Sequence, residues 1–198
     1  MKLTVQAVQS WLNDYTKVIQ SEKDALSLLD TPIGDGDHGN NMARGVLAYQ
    51  EAFAKQPPTT ISETFKTLSM AMISKVGGAS GPLYGTAFMN MAKATKGIES
   101  IDSMSQLTEI IDEGLKGIKM RGKAELGDKT MVDVWAKVVE SLSNGGLTEE
   151  TIASAKEDTK NIVAKKGRAS YLGERAIGHV DPGAASSALL FNCLLKYL

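Results

Sequence analysis

Between Asp30 and Asp37 the chain reads Asp-Thr-Pro-Ile-Gly-Asp-Gly-Asp, three carboxylates close together with no Lys or Arg among them. Asp35 and Asp37 flank Gly36, which is free to take positive φ, so a tight turn brings both carboxylates toward one point. Asp30, at the end of an apolar run, closes the cluster. Like charges this close repel unless a cation lies between them. Hard oxygen donors with no thiolate and one nearby imidazole, His38, suit Mg²⁺ or Ca²⁺ better than Zn²⁺. If phosphates share the pocket, the ion is Mg²⁺. Any one of these aspartates reads equally well as an N-cap or turn residue. An EF-hand is excluded, because Val46 stands where its closing Glu is required.

A second stretch, Gly77-Gly78-Ala79-Ser80-Gly81, has no bulky side chain and opens a helix. Its backbone N–H groups and the Ser80 hydroxyl can approach a phosphate closely, although a tight interhelical turn uses glycines too. Gly117 to Ala124 nearly spells a Walker A loop, but Ala124 replaces the Mg²⁺-binding hydroxyl and no strand precedes it.

The elements that position these groups read as helices. Val5, Val8, Leu12, Tyr15 and Ile19 form one apolar stripe, and Ser21 with Asp24 predicts a second, short helix ending near Leu29. Met42 to Phe53 predicts the next, stopped by Gln56-Pro57-Pro58. Thr60 with Glu63 caps a helix through Val76, and Ser80 with Pro82 opens another. Ser103 and Gln106 start a helix through Ile118, and Thr130 with Asp133 one through Leu142. A seventh runs from about Glu149 to Lys166, its terminal lysines suiting the dipole. The last, from Gly183, is apolar almost all round and therefore central. Met70, Met72, Met89 and Met91 read as core filling, Trp11 and Trp135 as packing, and Cys193 as core. No period-two alternation appears, so the fold class is all-α, with about eight helices and no sheet.

Glycines gather between the helices, at 34–39, 77–85, 122–127 and 167–183, which points to one functional rim built from loops. A length of 198 residues with 42% hydrophobic and 23% charged content supports a single domain over 1–198. A formal net charge of −1 with no basic block gives no footprint for nucleic acid or an anionic membrane. No apolar run reaches membrane-spanning length. One cysteine allows no internal disulfide and fits a reducing cytoplasm.

Four segments, in order, resemble the L subunits of bacterial dihydroxyacetone kinases: Gly34 to Gly39 (Gly-Asp-Gly-Asp-His-Gly), Gly77 to Gly85 (Gly-Gly-Ala-Ser-Gly-Pro-Leu-Tyr-Gly), Gly127 to Met131 (Gly-Asp-Lys-Thr-Met), and Gly167 to Arg175 continued by Asp181-Pro182-Gly183-Ala184. The likeness runs nearly end to end. It implies a barrel of about eight antiparallel helices with a nucleotide, ADP or ATP, in the loops at one rim. It implies two Mg²⁺ ions on Asp30, Asp35 and Asp37, with Arg168 as a further catalytic group that neutralises phosphate charge, although Arg168 also reads as a plain surface arginine in a loop. By the same likeness, nucleotide contacts fall on His38, Gly39, Asn40 and Asn41, on Ala79, Ser80 and Gly122, on Thr130 and Met131, on Arg168, and on Asp181, Pro182 and Gly183.

The resemblance also implies partners. A K subunit would hold dihydroxyacetone covalently on a histidine, and a phosphocarrier M subunit would recharge bound ADP from phosphoenolpyruvate. A homodimer stays open. Two other readings also stay open: an ATP-consuming dihydroxyacetone kinase module of the same fold, and a non-enzymatic helical regulatory domain whose acidic turn binds a structural cation.

Overall fold

Apolar stripes at three- and four-residue spacing decide where this chain is helical, and glycine, proline and capping side chains decide where it turns. The computed structural model describes residues 1–198. It contains eight α-helices: α1 Val5–Asp30, α2 His38–Lys55, α3 Ile61–Lys75, α4 Ser80–Ala94, α5 Met104–Gly122, α6 Met131–Ser143, α7 Glu149–Asp158 and α8 Pro182–Leu195. Short 3₁₀ segments cover Thr159–Asn161 and Arg168–Ala176. The expected absence of sheet needs one small amendment. Strands β1 (Leu3–Thr4) and β2 (Ser100–Ile101) pair antiparallel, Leu3 opposite Ile101.

Capping follows the side-chain chemistry at most starts. Thr60 accepts from the Glu63 N–H, Ser103 from Gln106, and Thr130 forms a full capping box with Asp133. Three expectations fail. No break occurs at Ser21–Asp24: Ser21 to Ala25 are exposed, but no Gly or Pro interrupts the helix and the Ser21 hydroxyl donates back to the Val18 carbonyl rather than capping a new start. The seventh helix stops at Asp158 rather than Lys166. There the hydroxyl of the buried Thr159 donates to the Lys156 carbonyl and accepts from the Asp181 N–H, pulling the chain out of the helix. Lys165 accordingly lies outside any helix, beside Asp128. Ser80 is not the N-cap of α4 but its first residue, and its hydroxyl faces His38 instead.

Each helix from α1 to α6 packs on the next in sequence, α7 packs on α6 and α8, and α8 returns to α6 and α1, so the order of neighbours closes into a ring. One cluster of 45 buried apolar residues draws on all eight helices. Helix α8 buries ten of its fourteen residues, in accord with its apolar circumference. Trp11, Trp135, Cys193, Met72 and Met91 are core, whereas Met70 is 53% exposed and fills no gap. No helix is long and apolar enough to cross a membrane.

Because neighbouring helices alternate in direction, one end of the ring carries the starts of α2, α4, α6 and α8. His38, Ser80, Met131 and Pro182, the first residues of these four helices, line a single cavity of about 410 Å³. The last residues of α1 and α5, Asp30 and Gly122, line it as well.

Candidate functional site

Asp30, Asp35 and Asp37 come together as the sequence predicts: each offers a carboxylate oxygen within 4.8 Å of the others. Their environments differ. Asp30 is buried, and its Oδ2 accepts the Asp37 N–H at 3.0 Å and the His38 N–H at 3.2 Å, so it also caps the start of α2. The carboxylates of Asp35 and Asp37 are exposed, and Asp37, at the N-cap position of α2, makes no side-chain cap bond. The absence of a cation next to them holds in sequence but not in space. Arg168 Nη1 lies 2.7 Å from Asp35 Oδ2, across 133 residues of chain.

His38 is fixed on both ring nitrogens, Nδ1 lying 3.1 Å from Ser80 Oγ and Nε2 2.9 Å from Ser186 Oγ. Ser186 contacts the Tyr84 hydroxyl at 2.7 Å, Tyr84 contacts Ser187 at 2.9 Å, and the Trp135 indole N–H donates to Ser187 at 3.0 Å. This chain of buried polar groups ties α2, α4, α6 and α8 together directly beneath the cavity. Burial pushes the His38 imidazole down to about 4, against the charges of Asp30 and Asp37, so it is neutral at physiological pH.

At the far wall, Asp181 caps α8 by accepting the Ala184 N–H at 2.8 Å. Desolvation raises its carboxyl to about 7, opposed by that hydrogen bond and by the charge of Lys129. Lys129 itself is 1% exposed and donates to the main-chain carbonyls of Thr159 and His179. Burial lowers its pKa, against the charges of Asp181 and Asp133.

Of the residues expected at the site, Asp30, Asp35, Asp37, His38, Asn41, Ala79, Ser80, Gly122, Thr130, Met131, Arg168, Asp181, Pro182 and Gly183 line this one cavity. Gly39 and Asn40 stand outside it, on the side of α2 that faces α1. A Cβ on Gly39 would lie 1.7 Å from the Lys23 carbonyl oxygen, and the Asn40 N–H donates to Ser27 Oγ. Both serve the close approach of α1 and α2. The sequence reading missed Arg121, Lys129 and Lys166, and the apolar lining of Leu83, Ile118, Ala124 and Val132. The amphipathic spacing of Ile118 and Val132 marks core without saying that they also face a void.

The lining thus holds four carboxylates, Asp30, Asp35, Asp37 and Asp181, and four cations, Arg121, Lys129, Lys166 and Arg168. Four helix N-termini add positive partial charge. A clustered set of hard oxygen donors beside such a wall is the complement of divalent ions bound to a polyanion, and the apolar lining can take an uncharged ring system.

The chain matches the model of the DAK2 domain over residues 32–196. It is 55% identical over 186 residues to the ADP-binding subunit DhaL of a PEP-dependent dihydroxyacetone kinase from Listeria innocua, covering 94% of this chain and 93% of that one. It is 46% identical to the ADP-binding subunit DhaL of the PTS-dependent dihydroxyacetone kinase of Lactococcus lactis, covering 98% of each. Among solved structures it superposes on the dihydroxyacetone kinase of C. freundii in complex with AMP-PNP and Mg²⁺ with a TM-score of 0.74, 22% identity, and coverage of 96% of this chain and 34% of that one. The last likeness establishes the shared fold.

Proposed function

The chain belongs to the DAK2 domain family, and we propose that it is the ADP-binding subunit of a phosphoenolpyruvate-dependent dihydroxyacetone kinase. In this reading a bound ADP/ATP pair relays a phosphoryl group from a phosphocarrier M subunit to dihydroxyacetone held on a K subunit. The observation that carries the reading is the meeting of three carboxylates and four helix N-termini on one cavity. Relatives over nearly their whole length that are named as ADP-binding subunits support it.

The donor set fits Mg²⁺: three carboxylates, oxygen only, two of them free of any role in capping. Asp30, Asp35 and Asp37 would hold two such ions, which when bound offset phosphate charge and align the reacting oxygens. The protein supplies position and field. Asp30 is locked by two backbone N–H groups, so its place is set before any ligand arrives. The starts of α2, α4, α6 and α8 direct backbone N–H groups and positive partial charge at a polyphosphate. Arg168 leaves Asp35 for the phosphates, and the neutral His38 keeps Ser80 in place at the start of α4. Leu83, Ile118, Met131 and Val132 exclude water from the base. Nothing in the cavity resembles a nucleophilic histidine for the sugar, since the ring of His38 is occupied on both nitrogens.

The test is to denature the purified protein mildly and read the absorbance and mass of the released small molecule. An adenine nucleotide retained through purification, and rephosphorylated in place by the phosphocarrier, is the expected result. Free exchange with ATP during turnover assigns the chain to the ATP-consuming type instead, and no nucleotide binding at all refutes the proposal.

A further inference from the structure

A buried lysine has to be explained, because an ammonium taken out of water without a carboxylate partner is costly. Lys129 is the most deeply buried charged side chain of the molecule, and its backbone is left-handed, with φ +61°. No carboxylate lies in contact with its ammonium, which donates to the carbonyls of Thr159 and His179. These carbonyls belong to two segments that the ammonium brings together. The same segments are laced by the Asp181 N–H to Thr159 Oγ1 at 3.0 Å and the Gly178 N–H to the Lys160 carbonyl at 2.8 Å.

Both ends of this clamp lead into the cavity. Lys129 immediately precedes Thr130 and Met131, which start α6, and His179 lies two residues before Asp181, which caps α8. The residue before the lysine, Asp128, accepts the Lys165 N–H at 3.0 Å, just ahead of the Lys166 to Arg168 wall. The peptide from Gly127 to Met131 is therefore a hub from which three walls of the cavity hang, and the ammonium is the part of it that reaches farthest.

We propose that Lys129 is a positioning residue for the nucleotide: by holding the Thr159 and His179 carbonyls it sets the start of α8 against the start of α6, so that both helix N-termini address one ligand. The inference rests on the nucleotide reading above. The three aspartates hang from α1 and the loop into α2 and none of them bonds to Lys129, Thr159 or His179, so metal binding without nucleotide should survive loss of the ammonium.

The experiment uses the full chain, with ADP and Mn²⁺ as probes. Lys129→Met keeps the length and apolar stem of the side chain and removes the donors. Misplacing a group by about an ångström can cost on the order of 100-fold in rate where alignment is needed, and affinity for a ligand held by two helix starts should fall in the same sense. The expected result is ADP affinity reduced by about tenfold or more, with Mn²⁺ binding in the absence of nucleotide unchanged. Lys129→Ala supplies the control: a small primary alkylammonium should enter the vacated channel and restore ADP affinity. Tetramethylammonium at equal ionic strength has no N–H to donate and should not. ADP affinity in Lys129→Met within about twofold of native overturns the proposal, as does a loss that the alkylammonium does not restore. Failure of the native chain to bind ADP strikes the nucleotide reading itself, and so is told apart from failure of the clamp.

Discussion

Replacing Arg168 by alanine should move two affinities in opposite directions. Without ligand, Arg168 sits 2.7 Å from Asp35 with its side chain 65% exposed and that of Asp35 37% exposed. An ion pair so open to solvent is worth about 0.2–1 kcal/mol. A divalent cation arriving at the three aspartates must displace it, so its removal should tighten metal binding in the absence of nucleotide by about 1.4- to 5-fold, at 1.36 kcal/mol per decade. In the proposed reading the guanidinium serves the phosphates once nucleotide is bound, and a charge-assisted hydrogen bond there is worth about 1.5–3 kcal/mol. Its loss should weaken ADP binding in saturating Mg²⁺ by about 10- to 150-fold. Titration of Mn²⁺ followed by paramagnetic resonance gives the first quantity, and calorimetry with ADP at saturating Mg²⁺ gives the second. Weaker metal binding without nucleotide would show that Arg168 supports the cluster rather than competing for it. An unchanged ADP affinity would show that it never reaches the phosphates. Either result refutes the reasoning.

Asp35→Asn with Asp37→Asn should leave the melting temperature nearly unchanged while abolishing nucleotide retention, since neither carboxylate caps the fold; a structural cation would instead show as lost stability. Asp30→Ala should lose metal binding and also about 1–2 kcal/mol of stability in denaturant titration, because Asp30 caps the start of α2. Gly34→Ala places a Cβ 2.0 Å from Asp30 Oδ1, so the carboxylate must swing away; Mn²⁺ affinity should fall with little change in circular dichroism. Burial holds the His38 imidazole down to about 4, so an Asp181→Asn protein in chelator should lose on the order of 3 kcal/mol from pH 6.5 to 4; the variant is needed because the Asp181 carboxyl, raised to about 7, stabilises the fold in the opposite sense over the same range. The loss falls on the acid side, because the folded state binds fewer protons there; a flat denaturant midpoint from pH 6.5 to 4 counts against a neutral buried ring.

Helix positions and the meeting of the three aspartates were legible in the residues because both rest on local rules. Apolar spacing and side-chain caps marked most helix starts, and carboxylates around Gly36 can converge without help from the rest of the chain. What the sequence hid was set by contacts between distant segments. The Ser21–Asp24 cap was overridden because no Gly or Pro breaks α1 there, the Ser21 hydroxyl donates back to the Val18 carbonyl and Gly39 of α2 packs on the Lys23 carbonyl, and α7 was cut short by Thr159 serving Lys129, Lys156 and Asp181 at once. Arg168 meets Asp35, and Ser186 meets His38, only after the ring of helices closes. Lys129 stood in a conspicuous motif, yet a lysine between turn residues is ordinarily solvated, and nothing local says that this one is buried.

The topology accounts for why one rim, and not two, carries the chemistry. Alternating helices send every second N-terminus to the same end, so a ring of eight gathers four positive ends there and four at the other. The two ends differ in their connections. At the cavity end the chain passes through the Asp30–Asp37 turn, the Gly77–Ala79 turn, the Gly122–Thr130 loop and the long segment to Asp181, which bring donors and cations to the helix starts. Asp30 sits where the signs meet: it ends α1, at the negative pole of that helix, and accepts the first N–H groups of α2. In the proposed reading, cations gathered at that point would relieve the carboxylates and present positive charge to a polyphosphate, which the four helix starts would in turn favour. Each ligand would then supply the charge the other needs, and linkage requires that Mg²⁺ raise nucleotide affinity by the factor by which nucleotide raises Mg²⁺ affinity, which paired titrations check.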